Sequence, residues 1–315
     1  MVCKHRSLFC LCLSAIFILG IAFLRPLDGS SEALDRLKAN RFWIMKAQNP
    51  GKYEVLILGD SRSYRGLSPA EMSKALRNSS IYNLAFSAGG LNHEIYDVAS
   101  RMLEMEGKTR MIVVGVTPGS LMASTENNRQ YREEHNRPRS AYLERVYIDE
   151  RLQRFVPFDW ERLLHSVTGR HFTGKRYVNR YMDDGWVGSG EYPEDPTEEL
   201  TAYREVMARF QVKAALVQAL FDQTRAWSSK GTRVFGFRPP TSQAMLDLEN
   251  KMSGFDERKF IEGFEAAGGR WIPVEPAPYH SYDGSHLDEA SAIQLSDYIA
   301  AQIARREMPQ NAKAY

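Results

Sequence analysis

Beyond residue 12, the 315-residue chain contains no cysteine. Cys3, Cys10 and Cys12 all lie in or just before an apolar N-terminal run. The rest of the chain therefore has neither a disulfide framework nor a thiolate metal site. An excess of charge of one sign is also lacking. Lys plus Arg is 41 and Asp plus Glu is 39, a net charge of +2. Such a balance provides no broad field for nucleic acid. No His-Glu-x-x-His and no Gly-x-x-x-x-Gly-Lys motif occurs. His165 and His171 are not spaced as a helical i, i+4 metal pair. Asp183 and Asp184 in "MDDGW" lack the ligand count of a calcium loop. The residues thus indicate no metal and no cofactor. No internal repeat or low-complexity tract is present.

A long hydrophobic run occurs once. Lys4 and Arg6 precede an uncharged stretch from Ser7 to Leu24, which ends at Arg25 and Pro26. Eighteen residues at about 1.5 Å each span about 27 Å, close to a bilayer core. A cleaved signal peptide and an uncleaved anchor both fit. The length of the run, and the absence of a small-x-small cleavage site after it, favour the anchor. The basic flank then stays in the cytoplasm, which puts residues 26–315 outside a bacterial inner membrane. A domain without disulfides suits the periplasm or outer surface. The expected organisation is an anchor at 1–25, a tether and entry helix at 26–52, and a globular domain at 53–310 with an insertion at 118–198.

Strands and helices alternate from residue 53. "YEVLILG" reads as a buried strand and "SPAEMSKALRN" as a helix. Ser68 caps that helix, Pro69 suits its first turn, and Glu71 completes a capping box. "IYNLAFS" is a second strand, "LNHEIYDVASRMLEMEG" a helix and "RMIVVGV" a third strand. This order implies an α/β domain whose parallel sheet is covered by helices on both faces. The insertion is long enough to need elements of its own, and the expectation is mostly helices. "TEELTAYREVMARFQVKAALVQALFDQTRAWSSKG" reads as one long helix, "TRVFGF" as a strand and "RWIPV" as a short strand. A closing helix follows "PAPYHSYDGSHLD".

In open parallel sheets, ligands bind at the carboxyl ends of the strands. Those ends carry Gly59-Asp60-Ser61, Ser87-Ala88-Gly89-Gly90 and Gly115-Val116-Thr117-Pro118. A serine hydroxyl needs a general base within reach, and the base needs an orienting partner. His286 suits the first role and Asp283 the second. A developing oxyanion needs fixed donors. The backbone N–H groups of Ser61 and of Gly89 or Gly90 are candidates. Each piece alone also reads as an ordinary turn or helix cap. It is the combination that carries the chemistry.

The combination resembles the SGNH (GDSL-like) hydrolase superfamily over residues 53–125 and 200–305. "GDSRS" matches its nucleophile block at Ser61, and "DGSH" matches its last block at Asp283 and His286. "NLAFSAGG" matches the glycine block loosely, with Ala88 where the glycine is first sought. "VVGVTPGS" puts Thr117 near the place of an asparagine that the family uses as an oxyanion donor. The resemblance implies a three-layer α/β/α fold with a flavodoxin-like parallel sheet. It also implies an acyl-Ser61 intermediate. The departure at Thr117, with the anchor, is similar to the membrane-anchored SGNH-like proteins of cell-envelope acylation, among them the D-alanyl transfer group.

The functional expectation is an extracytoplasmic acyltransferase or esterase for an envelope or exported polysaccharide. Its partners would be an acyl donor, a polysaccharide acceptor and a membrane-bound O-acyltransferase. The alternative is a non-catalytic partner or glycan-binding scaffold. Arg62, Arg65 and Arg238 are candidates for binding an anionic or carbohydrate group. A solvated arginine at a strand end is the plain alternative for Arg238. Trp160 and Trp186 in the insertion suit packing of a capping subdomain better than a sugar groove.

Overall fold

The computed structural model describes residues 9–17, 20, 32–104, 110–149 and 176–307. The chain divides into two compact units, residues 1–45 with 137–173 and residues 46–136 with 174–315. In the first, residues 9–17 and 20 are helical. The helix α1 (Glu32–Ala47) begins there and ends in the second unit. Among the described residues no helix is long and apolar enough to cross a membrane. The remainder of the 7–24 run lies outside the described residues, as do Trp160, His165 and His171.

The second unit carries the sheet. In chain order its elements begin with β1 (Val55–Leu58), α2 (Ser61–Gly66), α3 (Pro69–Ala75), β2 (Ile81–Asn83), α4 (His93–Met102), β3 (Met111–Gly115) and α5 (Arg129–His135). The short helix α6 (Arg139–Leu143) and a π turn at Glu144–Ile148 belong to the first unit. Then come β4 (Arg176–Tyr181), β5 (Val187–Tyr192), α7 (Glu198–Arg209), α8 (Ala214–Ser229) and β6 (Arg233–Phe237). The chain continues with α9 (Gln243–Met252), α10 (Glu257–Ala266), β7 (Gly269–Trp271) and α11 (Glu289–Glu307).

Five parallel strands lie in the order β2-β1-β3-β6-β7. Counted along the chain this is 2-1-3-4-5, the flavodoxin-like order, as the family resemblance implies. Strands β1 and β3 are buried at every position. That is why they read as continuous apolar runs rather than alternating ones. Val55, Ile57, Val113 and Phe235 pack with Leu67, Met72, Leu295 and Ile299 on one face. On the other face, a Cβ at Gly236 would run into Phe264 of α10 and Trp271. Helices therefore cover both faces of the sheet.

Local signals place several boundaries. The Ser68 hydroxyl accepts from the Glu71 N–H, the cap expected of α3. Asn92 caps α4 by accepting from Glu94 and Ile95. Within the insertion expected to be mostly helical, residues 176–192 form an antiparallel hairpin. Asp184 and Gly185 form its turn, where Gly185 has φ +87° and the Asp184 C=O accepts from the Asn83 N–H at 2.9 Å. The expected long helix after residue 197 is two, α7 and α8. Val212 forms an antiparallel bridge with Met122, and the Lys213 N–H donates to the Leu121 C=O at 2.9 Å. Tertiary hydrogen bonds there replace the intrahelical ones.

Candidate active site

The first strand ends in a turn that only a small residue tolerates. Gly59 has φ +141°, and a Cβ there would come within 2.1 Å of Ser63 Oγ and 2.7 Å of the Gly115 C=O. Asp60 follows as the N-cap of α2, its Oδ1 accepting from the Arg62 N–H at 3.0 Å. Ser61 is thereby the first residue of the helix.

The loop before α11 is built with equal economy. An isolated antiparallel bridge joins Ser281 to Leu287. Asp283 Oδ1 accepts from the Ser285 N–H at 2.8 Å and the His286 N–H at 2.7 Å. Gly284 has φ +88° and lies against the Pro196 C=O, where a Cβ would approach to 2.2 Å. This leaves Asp283 Oδ2 free to bond His286 Nδ1 at 2.6 Å. His286 Nε2 in turn meets Ser61 Oγ at 2.8 Å, across 225 residues of sequence. The three side chains form one hydrogen-bonded line. With Nδ1–H donating to Asp283, Nε2 is the acceptor for the Ser61 proton.

Electrostatics prepare the base. The His286 imidazole is pushed down to about 4, by burial first and then by the charges of Arg65 and Arg62, against the opposing pull of Asp283. It is therefore neutral and able to take a proton at pH 7. Burial pushes the Asp283 carboxyl up, but the bonds from His286 and Ser285 outweigh it and hold the group below its ordinary value.

The oxyanion candidates are placed differently from expectation. The Gly89 N–H donates to the Phe86 C=O at 3.0 Å. The Gly90 N–H donates to Asn128 Oδ1 at 2.7 Å. Both are consumed by the turn itself. The Thr117 hydroxyl donates its one proton to Asp60 Oδ2 and accepts from the Ser120 N–H at 3.0 Å. It too is committed. The N–H groups of Ser61 and Ala88 make no hydrogen bond among the described residues. Ala88 stands exposed at φ 47°.

Two of the three arginines are structural. Arg62 is buried, with its Nε on Ser285 Oγ at 3.0 Å and its Nη1 2.6 Å from Glu249 Oε1. Arg238 is buried as well. Its Nη2 bonds Glu249 Oε2 at 2.8 Å, and its Nη1 bonds Glu257 at 2.6 Å and Asn250 at 3.0 Å. Both guanidinium groups are thus occupied by partners within the protein. A charged side chain at a strand end is affordable inside only when paired, and Glu249 pairs both. Arg65 is only partly buried, bonded to the hydroxyls of Tyr64 and Tyr282. Trp186 is buried and its Nε1 donates to the Arg65 C=O at 2.8 Å, so the hairpin braces α2. Sequence reasoning missed Glu249, Ser285 and Tyr203; apart from Ser285 inside "DGSH", nothing local singles them out.

No protein-family model and no curated protein matches the chain. Solved structures do. One is Est24, a carbohydrate acetylesterase from Sinorhizobium meliloti, with 10% identity, 80% of this chain and 98% of that chain covered, and a TM-score of 0.35. Another is described as a platelet activating factor from Streptococcus pneumonia, with 11% identity, 94% and 98% coverage, and a TM-score of 0.33.

Proposed function

We propose that this SGNH-like chain is a serine esterase or acyltransferase acting on O-acyl groups of an envelope or exported polysaccharide. One observation carries the reading: Ser61 Oγ lies 2.8 Å from His286 Nε2, and His286 Nδ1 lies 2.6 Å from Asp283 Oδ2. Ser61 Oγ attacks the acyl carbonyl carbon as its proton passes to His286 Nε2. The carbonyl π electrons move onto oxygen, where the Ser61 and Ala88 N–H groups are the candidate donors. Collapse expels the alkoxide, which takes the proton from His286. Water or a sugar hydroxyl then gives its proton to His286 and attacks the acyl-Ser61 ester. Ser61 is released with its proton restored. Asp283 keeps the imidazole in one tautomer and stabilises the cation formed twice in each cycle.

The apolar 7–24 run supports an anchored, extracytoplasmic placement. So do the exposed side chains of Phe9, Leu11, Leu13, Ile16 and Phe17. A membrane-bound O-acyltransferase is a partner consistent with that anchor. A second reading, a non-catalytic partner or glycan-binding scaffold, draws on the committed Thr117 hydroxyl, which leaves the asparagine's donor role unfilled.

Full-length protein in detergent, given p-nitrophenyl acetate, separates the two. Ester cleavage by the wild type that disappears in Ser61→Ala and His286→Ala supports the enzyme. Equal rates in all three favour the scaffold. Product partitioning with added acetyl-acceptor oligosaccharide distinguishes transfer from hydrolysis.

A further inference from the structure

The residue after the nucleophile and the residue before the base are bonded to each other. Arg62 Nε donates to Ser285 Oγ at 3.0 Å. The Ser285 hydroxyl in turn donates a hydrogen bond to the Tyr203 hydroxyl oxygen at 3.0 Å. The Ser285 hydroxyl is thus used in both directions. The Arg62 guanidinium lies over the Tyr203 ring, 5.0 Å from its centroid. Its outer edge is held by Glu249 of α9, and the other oxygen of Glu249 is held by Arg238 at the end of β6.

From this arrangement the structure assigns Arg62 a positioning role: it locks the Ser61 turn to the His286 loop and so sets the distance over which the proton moves. The assignment rests on the reading of Ser61 and His286 as the reacting pair. It differs from a substrate-binding role, because the side chain is buried.

Three physical points support it. Ser61 sits on a six-residue helix and His286 on a loop, and neither element spans the gap by itself. A hydrogen bond one residue removed from each reacting group closes that gap directly. A buried Arg–Glu–Arg chain is also a poor way to gain stability, since apolar side chains of equal volume often serve as well or better. Its use here, beside the reacting pair, fits a requirement for fixed geometry. Finally, guanidinium is the side chain suited to the task. Its planar fork reaches the Ser285 hydroxyl by a hydrogen bond and Glu249 by an ion pair at once, which a lysine point charge cannot do.

Arg62 also contributes to the field at His286. The charged groups around that imidazole are Asp283, Arg65 and Arg62, and the Tyr282 ring stacks on it at 6.2 Å. Glu199 lies near Asp283 and both arginines. The bond to Ser285 and the charge on Arg62 therefore have separable signatures.

The test uses full-length protein with Ser285→Ala, Arg62→Lys and Arg62→Gln, and Ser61→Ala as the control for the parent reading. Circular dichroism reports the folded fraction of each. Ser285→Ala removes one hydroxyl and keeps every charge, so it serves where Arg62→Gln fails to fold. The expected result for Ser285→Ala and Arg62→Lys is a kcat about ten- to a hundredfold lower per folded molecule, with KM nearly unchanged, as for a misplaced reacting pair. The acid limb of the pH profile stays in place in both. Arg62→Gln loses kcat and also moves the acid limb to higher pH, because a cation near His286 is gone. Wild-type kcat and an unmoved limb in Ser285→Ala and Arg62→Gln, with Ser61→Ala inactive, would overturn the positioning role alone. Full activity in Ser61→Ala would instead overturn the parent reading. The His286 proton resonances, followed against pH by NMR, then still test the tie, and identical titration in wild type and Arg62→Gln sinks it.

Discussion

The Thr117 hydroxyl donates to the Asp60 carboxylate, and that bond braces the end of β3 against the turn that presents Ser61. Asp60 is buried, and burial raises its carboxyl above the ordinary value, against Arg62, the Thr117 bond and the Arg62 N–H. The place where the family resemblance put an oxyanion donor thus holds a structural bond instead.

Thr117→Val keeps the shape and removes the donor. The Asp60 carboxylate oxygen and the Ser120 N–H each lose a partner, at about 1–3 kcal/mol per unsatisfied group. The expected kcat falls by less than about tenfold, whereas loss of a true oxyanion donor costs on the order of 10²–10³. Urea unfolding and initial rates of ester cleavage check both numbers.

Arg238→Ala leaves the buried Glu249 with Arg62 alone and removes the Glu257 pairing. Breaking a buried pair costs about 3–5 kcal/mol. The denaturation midpoint drops accordingly, while KM for acceptor oligosaccharide stays near wild type. A large KM increase with unchanged stability would restore a substrate-binding role.

The pH dependence follows from His286. It acts as a base only when neutral, and its folded value is about 4. Rates should hold from neutral pH downward and fall as pH drops through about 4. Stability has the same sign. The unfolded imidazole, near 6.5, binds protons that the folded one refuses, so stability declines as pH falls from about 6.5 to about 4. His286→Gln should flatten that part of the unfolding free-energy curve.

Trp186→Phe deletes the indole N–H that serves the Arg65 C=O. A loss of about 1–2 kcal/mol is expected from the unpaired carbonyl. Arg65 lies in the last turn of the helix that begins with Ser61, so the turnover number should fall with it. Thermal unfolding and kcat measured on the same samples test the link.

Ala88 holds φ 47°, a region that costs an ordinary residue about 1–2 kcal/mol. Ala88→Gly should recover up to about 1 kcal/mol and keep the N–H in place. Retained activity with a higher melting temperature is the expected outcome.

Much of the sheet was legible because buried parallel strands are apolar at every position. "VLIL" and "MIVVG" admit few other readings. Ser68 and Glu71 marked a helix start because capping is local. The hairpin at 176–192 was not legible. "RYVNRY" and "VGSGEY" carry charge and glycine where a strand usually shows apolar alternation, and only the docking of Trp186 and Gly185 reveals the pairing. The break between α7 and α8 was equally hidden, since Val212 is displaced by a strand-like partner, Met122, ninety residues away. The Gly89 and Gly90 amides looked available because their acceptors, the Phe86 carbonyl and Asn128, are set by the folded turn.

The amino-acid sequence determined which chemical groups are present and in what order they emerge: a Gly-Asp-Ser turn after one strand and an Asp-x-x-His loop before the last helix. Those follow from local rules of turns, caps and apolar runs. Only the tertiary structure decided which of them meet. The packed fold brings the His286 loop, which follows the edge strand β7, to the carboxyl end of the interior strand β1 where the Ser61 turn lies, though 225 residues separate them. It also decided that Arg62 and Arg238 share Glu249 rather than face solvent. Distance and burial are properties of the packed chain, and no local signal encodes them.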